Sequence, residues 1–200
     1  VLDPPAAALP AARSRRKARN NEPRFEIRQP LHVLSGVDLS QIDGIGPYNA
    51  LRIISEIGTD MSRWSTESHF ASWLTLAPKN RVSGGKLLSS RTQPSANRTA
   101  TILRMAAMTL GRTQTALGAF YRRLAFRIGK AKAITATARK LALLIYRCLK
   151  GEIVYKDPGA AAYDRINKES VLRRLRDRAQ NLGYSLVSNE TGQILGEGVS

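Results

Sequence analysis

The chain has 200 residues, 42% of them hydrophobic, enough for one domain with appendages or for two small ones. Its 32 Lys and Arg against 15 Asp and Glu give a formal charge of +17, which predicts attraction to a polyanion. No apolar run nears the roughly 18 residues of a spanning helix, so membrane insertion is not expected.

Cys148 is the single cysteine, so no internal disulfide can form, which fits a reducing cytoplasm. Its setting, "LALLIYRCLK", reads as a small buried hydrophobe rather than a reactive thiol. His32 and His69 stand far apart, and with one cysteine they make no zinc pattern.

In chain order, residues 1–30 are rich in Pro, Ala and charge and are expected to form a flexible basic linker. The run "RSRRKAR" (13–19) reads equally as a solvated linker or a phosphate-gripping arm. The first residues show no apolar core followed by a cleavage site, so no signal peptide is expected. The start without Met fits a fragment or a processed chain.

The folded domain is expected over 31–151. "DLSQIDGIGPYNALRIISEIG" (38–58) predicts a helix-hairpin-helix: a short helix ending near Asp43, a turn at Gly44-Ile45-Gly46, then a helix opened by Pro47. Ala50, Ile53, Ile54 and Ile57 recur at helical spacing until Gly58 stops the helix. Glycines in such a turn let backbone N–H groups and a helix N-terminus face a phosphate, which positions a duplex without reading its sequence. A plain packing corner is the competing reading.

"SRWSTESHFASWLTLAP" (62–78) supplies core anchors, Trp64, Phe70, Trp73, Leu74 and Leu76. Ser68 or Thr66 is the expected cap of a helix from His69 to Leu76. Residues 79–97 read as a polar loop. Three helical patterns follow. The first spans about 97–110, with Ile102, Leu103, Met105, Ala106 and Leu110. The second carries Leu117, Phe120, Tyr121, Leu124 and Ile128, and the third Ile134, Leu141, Leu144, Ile145 and Cys148. Arginines and lysines lie between these positions, so each helix has an oily side and a basic side. Residues 152–200 read as an extension. It holds a connector at 152–162 and a charged helix near 160–182, which would pack on the bundle or pair with another chain. A short strand pair is expected in "GYSLVSNETGQILG". The fold class is therefore mainly α: a helix-hairpin-helix, a small helical bundle and a long C-terminal helix.

Charge is unevenly placed. No carboxylate occurs between Glu67 and Glu152, while Lys79 to Lys150 holds 16 Lys or Arg. A solvated helical surface normally mixes signs, so this stretch is self-repelling until a polyanion covers it. Within it lies "RVSGGKLLSSR" (81–91). Ser83 has no acid or histidine near it in sequence, which argues against a hydrolase triad. A Mg²⁺ site would need carboxylate oxygens that this window lacks. Phosphoryl chemistry needs less of the loop, because Arg and Lys can stabilise the anionic phosphorus centre directly. Arg81, Lys86, Arg91 and Arg98 could do so, with Gly84 and Gly85 allowing close approach of a strand. Taken alone, "SGG" is also an ordinary turn.

The ordered segments "IDGIGPYNALRIISEIGTDMSRW", "HFASWLTLAP", "NRVSGGKLLSS", "ANRTATILRMAA", "LGAFYRRL" and "KAITATARKLALLIYR" resemble the C-terminal domain of the insertion sequence 110 family of transposases, the DEDD, bridge-RNA-guided recombinases. The resemblance spans roughly residues 24–186. It implies a serine that attacks DNA, here Ser83 of Ser83-Gly84-Gly85. It also implies an N-terminal DEDD domain whose four acids bind Mg²⁺, so no cofactor is expected on this chain itself. The implied partners are DNA, a guide (bridge) RNA, the DEDD domain and further copies of the enzyme as a homo-oligomer, in the bacterial cytoplasm. Sequence choice would be delegated to base pairing. The expected nucleic-acid contacts are Gly44, Gly46, Arg81, Gly84, Gly85, Lys86, Arg91, Asn97, Arg98, Arg104, Arg122 and Arg123. Two positions depart from the family pattern: Thr75 and Ala96 stand where the family often has Gly. Without the acidic domain the chain is not expected to cut DNA, and a truncated remnant that only binds DNA or RNA is the alternative.

Overall fold

The computed structural model describes residues 8–12, 22–94, 96–189 and 192; the run at 13–19 lies outside them. Among the described residues the chain is mainly α-helical. The order is α1 (Arg28–Ser35), a 3-10 turn (Leu39–Gln41), α2 (Pro47–Ile57) and α3 (Glu67–Trp73). Then come β1 (Arg81–Ser83), β2 (Lys86–Ser89), α4 (Arg98–Leu110), α5 (Ala116–Ile128), α6 (Lys130–Leu149) and α7 (Gly159–Asn181).

Helix α6 is the axis of the molecule. At 20 residues it runs about 30 Å. It packs on α3, α4 and α5, and α4 in turn carries α2. Its buried face alternates small and large groups: Ala133, Ala138 and Ala142 let neighbouring helices approach, while Leu141 and Ile145 fill the space between them. Phe70, Leu74, Leu103 and Leu110 complete the same core with no exposed surface. Each such side chain contributes about 1.5–3 kcal/mol by leaving water. Tyr146 is buried as well, and its hydroxyl donates to the Trp64 carbonyl at 2.8 Å, fixing α6 against the turn before α3. Cys148 is buried, and burial pushes its thiol pKa up.

Helix ends follow local chemistry. Asn97 Oδ1 accepts from the Ala100 N–H, and Thr115 Oγ1 accepts from the Gly118 N–H, capping α4 and α5. Thr66, one of the two expected caps, accepts from the His69 N–H, so α3 starts at Glu67 and not at His69. It stops at Trp73 because the chain turns left-handed at Thr75, whose φ is +56°. Thr75 N–H donates to Ser72 O and Leu76 N–H to Ala71 O, the paired bonds of a Schellman cap. The same pair of bonds ends α6 at Gly151 and α7 at Gly183, both with positive φ. Two helices thus place glycine at this position and one places a β-branched threonine, which L-residues enter at a cost of about 1–2 kcal/mol. That strain sits where the resembled family often has glycine.

Several expectations are corrected. The polar loop 79–97 contains the β1–β2 hairpin. The helix expected before Gly44 is a 3-10 turn of three residues, and α1 begins at Arg28, within the last residues of the stretch read as linker, with Ile27 in the core. Met105 and Ile128 were read as core positions and are exposed, because α4 and α5 turn those residues away from α6. Trp73 is only partly covered, although it lies 5.0 Å from Trp64 and stacks on Phe70. The expected strand pair near the end falls largely outside the described residues; Val187 makes an isolated bridge.

The connector after α6 is a strap. Tyr155 donates its hydroxyl to Asp43 at 2.6 Å, and Asp157 accepts from the Ala116 N–H at 2.9 Å, at the start of α5. The first turns of α7 then dock on α5 through Tyr163, which meets Phe120 edge-on and receives a hydrogen bond from Arg123. At the other end, Arg28 pairs with Asp38, tying α1 to the 3-10 turn. Burial alone would raise the Asp38 carboxyl pKa, but hydrogen bonds from Arg28, Gln41 and Ser40 outweigh it and hold the group below its ordinary value.

Candidate nucleic-acid interface and serine hairpin

Ser83 stands at the tip of an antiparallel hairpin with the pairs Ser83↔Lys86, Val82↔Leu87 and Arg81↔Ser89. Gly84 and Gly85 form the two-residue turn with φ of +54° and +75°, the signature of a type I′ turn. A Cβ on either would meet nothing, so the glycines serve backbone conformation and not space. A further main-chain bond, Lys79 N–H to Arg91 O at 3.0 Å, closes the base of the hairpin.

Strand geometry sorts the side chains. Directly paired residues share a face and neighbours alternate, so Arg81, Ser83 and Lys86 project to one side and Val82 and Leu87 to the other. The register shifts between Arg81 and Val82, which leaves Leu88 as the extra residue of a bulge. The hairpin makes at most marginal contact with any helix. Its aliphatics are accordingly bare: Val82 is 63% exposed, Leu87 58% and Leu88 68%. Ser83 is exposed, and its hydroxyl has no partner among the described residues.

Among the described residues no hydrogen bond joins that hydroxyl to a histidine or a carboxylate. His32 is buried on α1, and His69 shares a 2.5 Å hydrogen bond with Ser65. Among the described residues no three of His, Cys, Asp and Glu cluster as a metal site. Those residues therefore offer no donor set for a divalent ion.

The second candidate surface is the Gly44–Pro47 turn. Gly44 has φ +81°, and a Cβ there would come within 3.2 Å of the Ala106 carbonyl and 3.3 Å of Leu110, so glycine is required both for conformation and for closeness to α4. Gly46 precedes α2, and its N-cap position makes no side-chain hydrogen bond. The turn lines an open pocket of about 190 Å³ together with Arg28, Ser40 and Asp43.

The remaining expected contacts divide. Arg81, Lys86 and Arg91 share the hairpin and have no ion pair among the described residues. Arg98 is exposed and lies 4.0 Å from Glu56 of α2. Asn97 caps α4. Arg104 is half-buried on α4. Arg122 is held by the carbonyls of Gly111 and Thr113, at 3.2 and 2.6 Å, so it also closes the α4–α5 turn. Arg123 is committed to α7, with a 3.1 Å hydrogen bond to the Tyr163 hydroxyl and its guanidinium over the Tyr163 ring. The hairpin group and the α5 pair are thus on separate elements. Sequence reasoning missed Phe126, which is 96% exposed on the basic side of α5. Its position two residues beyond Leu124, opposite the apolar stripe, was the available signal.

Fold and site together define a basic helical domain that projects a serine hairpin from a stretch of chain without carboxylates. Residues 38–122, a segment that includes Ser83, match the family described as Transposase IS116/IS110/IS902 family. No curated protein matches the chain. No helix among the described residues is long and apolar enough to cross a membrane.

Proposed function

We propose that the chain is the serine-bearing, nucleic-acid-gripping part of a DNA-transposing recombinase. The observation that carries this reading is Ser83 itself: an exposed, unpartnered hydroxyl at a Gly-Gly hairpin tip, beside Arg81 and Lys86, inside the transposase match. In the proposed step Ser83 Oγ attacks a DNA phosphorus. An Oγ–P ester forms and the bond from phosphorus to one sugar oxygen breaks. That oxygen takes up a proton, while the serine proton leaves to a base outside this chain. Arg81 and Lys86 offset charge developing on the phosphoryl oxygens. The turn at Gly44–Pro47 and the basic sides of α4 and α5 hold the backbone.

Because neither histidine serves Ser83, the chain alone binds and does not cut. A carboxylate-bearing DEDD module supplies Mg²⁺ and the base, a guide RNA selects the site by pairing, and more than one protomer takes part in an exchange in the cytoplasm. The test supplies that acidic module in trans with end-labelled DNA and looks for a covalent DNA–protein adduct on a denaturing gel. The expected result is an adduct with the wild type and none with Ser83→Ala. Equal adduct from both proteins contradicts the nucleophile assignment.

A further inference from the structure

The corner where α5 meets α6 is built unlike the rest of the surface. From Phe126 to Lys132, "FRIGKAK", every residue is exposed. Phe126 is 96% exposed and Ile128 38%. Around them stand Arg127, Lys130 and Lys132, none of which has an ion pair among the described residues. Gly129, at φ +85°, breaks the helix so that α6 starts afresh at Lys130, with two lysines and no acid in its first turn. Lysines there face a positive helix end, so three cations and an aromatic ring are concentrated on one knuckle with no ion pair among the described residues to offset them.

Arg122 and Arg123, one turn earlier on α5, are held by Gly111, Thr113 and Tyr163. The knuckle keeps its cations free. A partner that suits it must be anionic and must also present a flat apolar face to Phe126. A duplex offers phosphates but keeps its base faces stacked. A protein surface rich in carboxylates offers charge but no matching π-face. Unpaired nucleotides offer both, since each base has a π-face and each linkage a charge.

We propose that the α5–α6 knuckle is a binding site for single-stranded nucleic acid, with Phe126 as the stacking platform for one unpaired base and Arg127, Lys130 and Lys132 gripping the flanking phosphates. This rests on the nucleic-acid reading above but is independent of Ser83 chemistry. It assigns the strand-separated part of the substrate to a surface that neither the serine hairpin nor the Gly44–Pro47 turn provides.

The experiment titrates the full chain, wild type, Phe126→Ala and Phe126→Tyr, into a fluorescein-labelled dT20 oligonucleotide and into a 20-base-pair duplex. The expected result is a loss of single-strand affinity in Phe126→Ala of roughly 5- to 150-fold, the span that stacking one base on an aromatic ring covers. Duplex affinity should change by less than about twofold, and Phe126→Tyr should restore single-strand binding. Unchanged single-strand affinity, or an equal loss on both forms, overturns the proposal while leaving the wider reading intact. Binding of neither form by the wild type overturns the nucleic-acid reading itself. A knuckle that binds anionic phosphatidylglycerol vesicles through Phe126, with oligonucleotide affinity unaffected, overturns it in favour of a lipid surface.

Discussion

The α3–α4–α6 core and the β1–β2 hairpin come from one continuous stretch of chain, yet they spend their apolar residues in opposite ways. In the core, Phe70, Leu103, Leu141 and Ile145 have no exposed surface, and the Tyr146 hydroxyl that enters with them is bonded to the Trp64 carbonyl, while the Thr99 and Thr137 hydroxyls are buried without a partner. In the hairpin, Val82, Leu87 and Leu88 are bare and neither strand rests on a helix. A lone two-stranded hairpin is marginal in water. Here a Gly-Gly turn and a closing bond at its base hold it. The difference separates two duties of one sequence: the core fixes position, and the hairpin presents a hydroxyl and cations that the core does not consume.

Truncations should break the comparison cleanly. Ile145→Ala should lose about 2–5 kcal/mol in urea denaturation, because α6 cannot close the cavity it leaves. Leu87→Ala should lie within about 0.5 kcal/mol of the wild type. Similar losses would mean that the hairpin packs on the body after all.

The Arg28–Asp38 pair sharpens where the rigid part begins. Asp38→Asn should cost on the order of 1–3 kcal/mol at neutral pH, the worth of hydrogen bonds to a charged group. Because the folded carboxyl lies below its ordinary 3.8, the unfolded chain binds more protons as the pH falls past that value. The stabilisation is therefore complete above 3.8 and is lost as the pH drops through the lower folded value. A pH series of denaturation midpoints should show this fall in the wild type and a flatter line in the variant.

A smaller effect is expected at the end of α3. Thr75→Gly should stabilise the protein by about 1 kcal/mol, by relieving the left-handed strain at φ +56°. A loss would show that the threonine hydroxyl's bond to the Leu74 carbonyl outweighs the strain. The smallest change is on α5. Arg123→Ala should cost about 0.5–1 kcal/mol, the scale of an exposed cation–π contact, and should speed amide exchange at the start of α7.

Much of this architecture was legible in the sequence because helical spacing reports burial directly. Ile53, Ile54 and Ile57 mark α2, Leu141 and Ile145 mark α6, and Pro47 and Gly58 bound α2 where they should. The hairpin was less legible. Its apolar residues face no core, so burial never imposed the alternation that identifies a strand, and the bulge at Leu88 blurs what alternation there is. The Gly84-Gly85 pair was the usable signal. Arg123 illustrates a different limit. Its spacing places it on the basic side of α5, and only the docking of Tyr163, 40 residues later, commits it to packing. Met105 shows the converse, an apolar residue at helical spacing that meets no neighbour in the core.

The account rests on the basic surface meeting a polyanion, and the most direct measurement is DNA affinity as a function of salt. With six or more phosphates held, affinity should fall roughly a thousandfold between about 50 and 200 mM salt, as bound counterions are released. An affinity that stays flat across that range would contradict it.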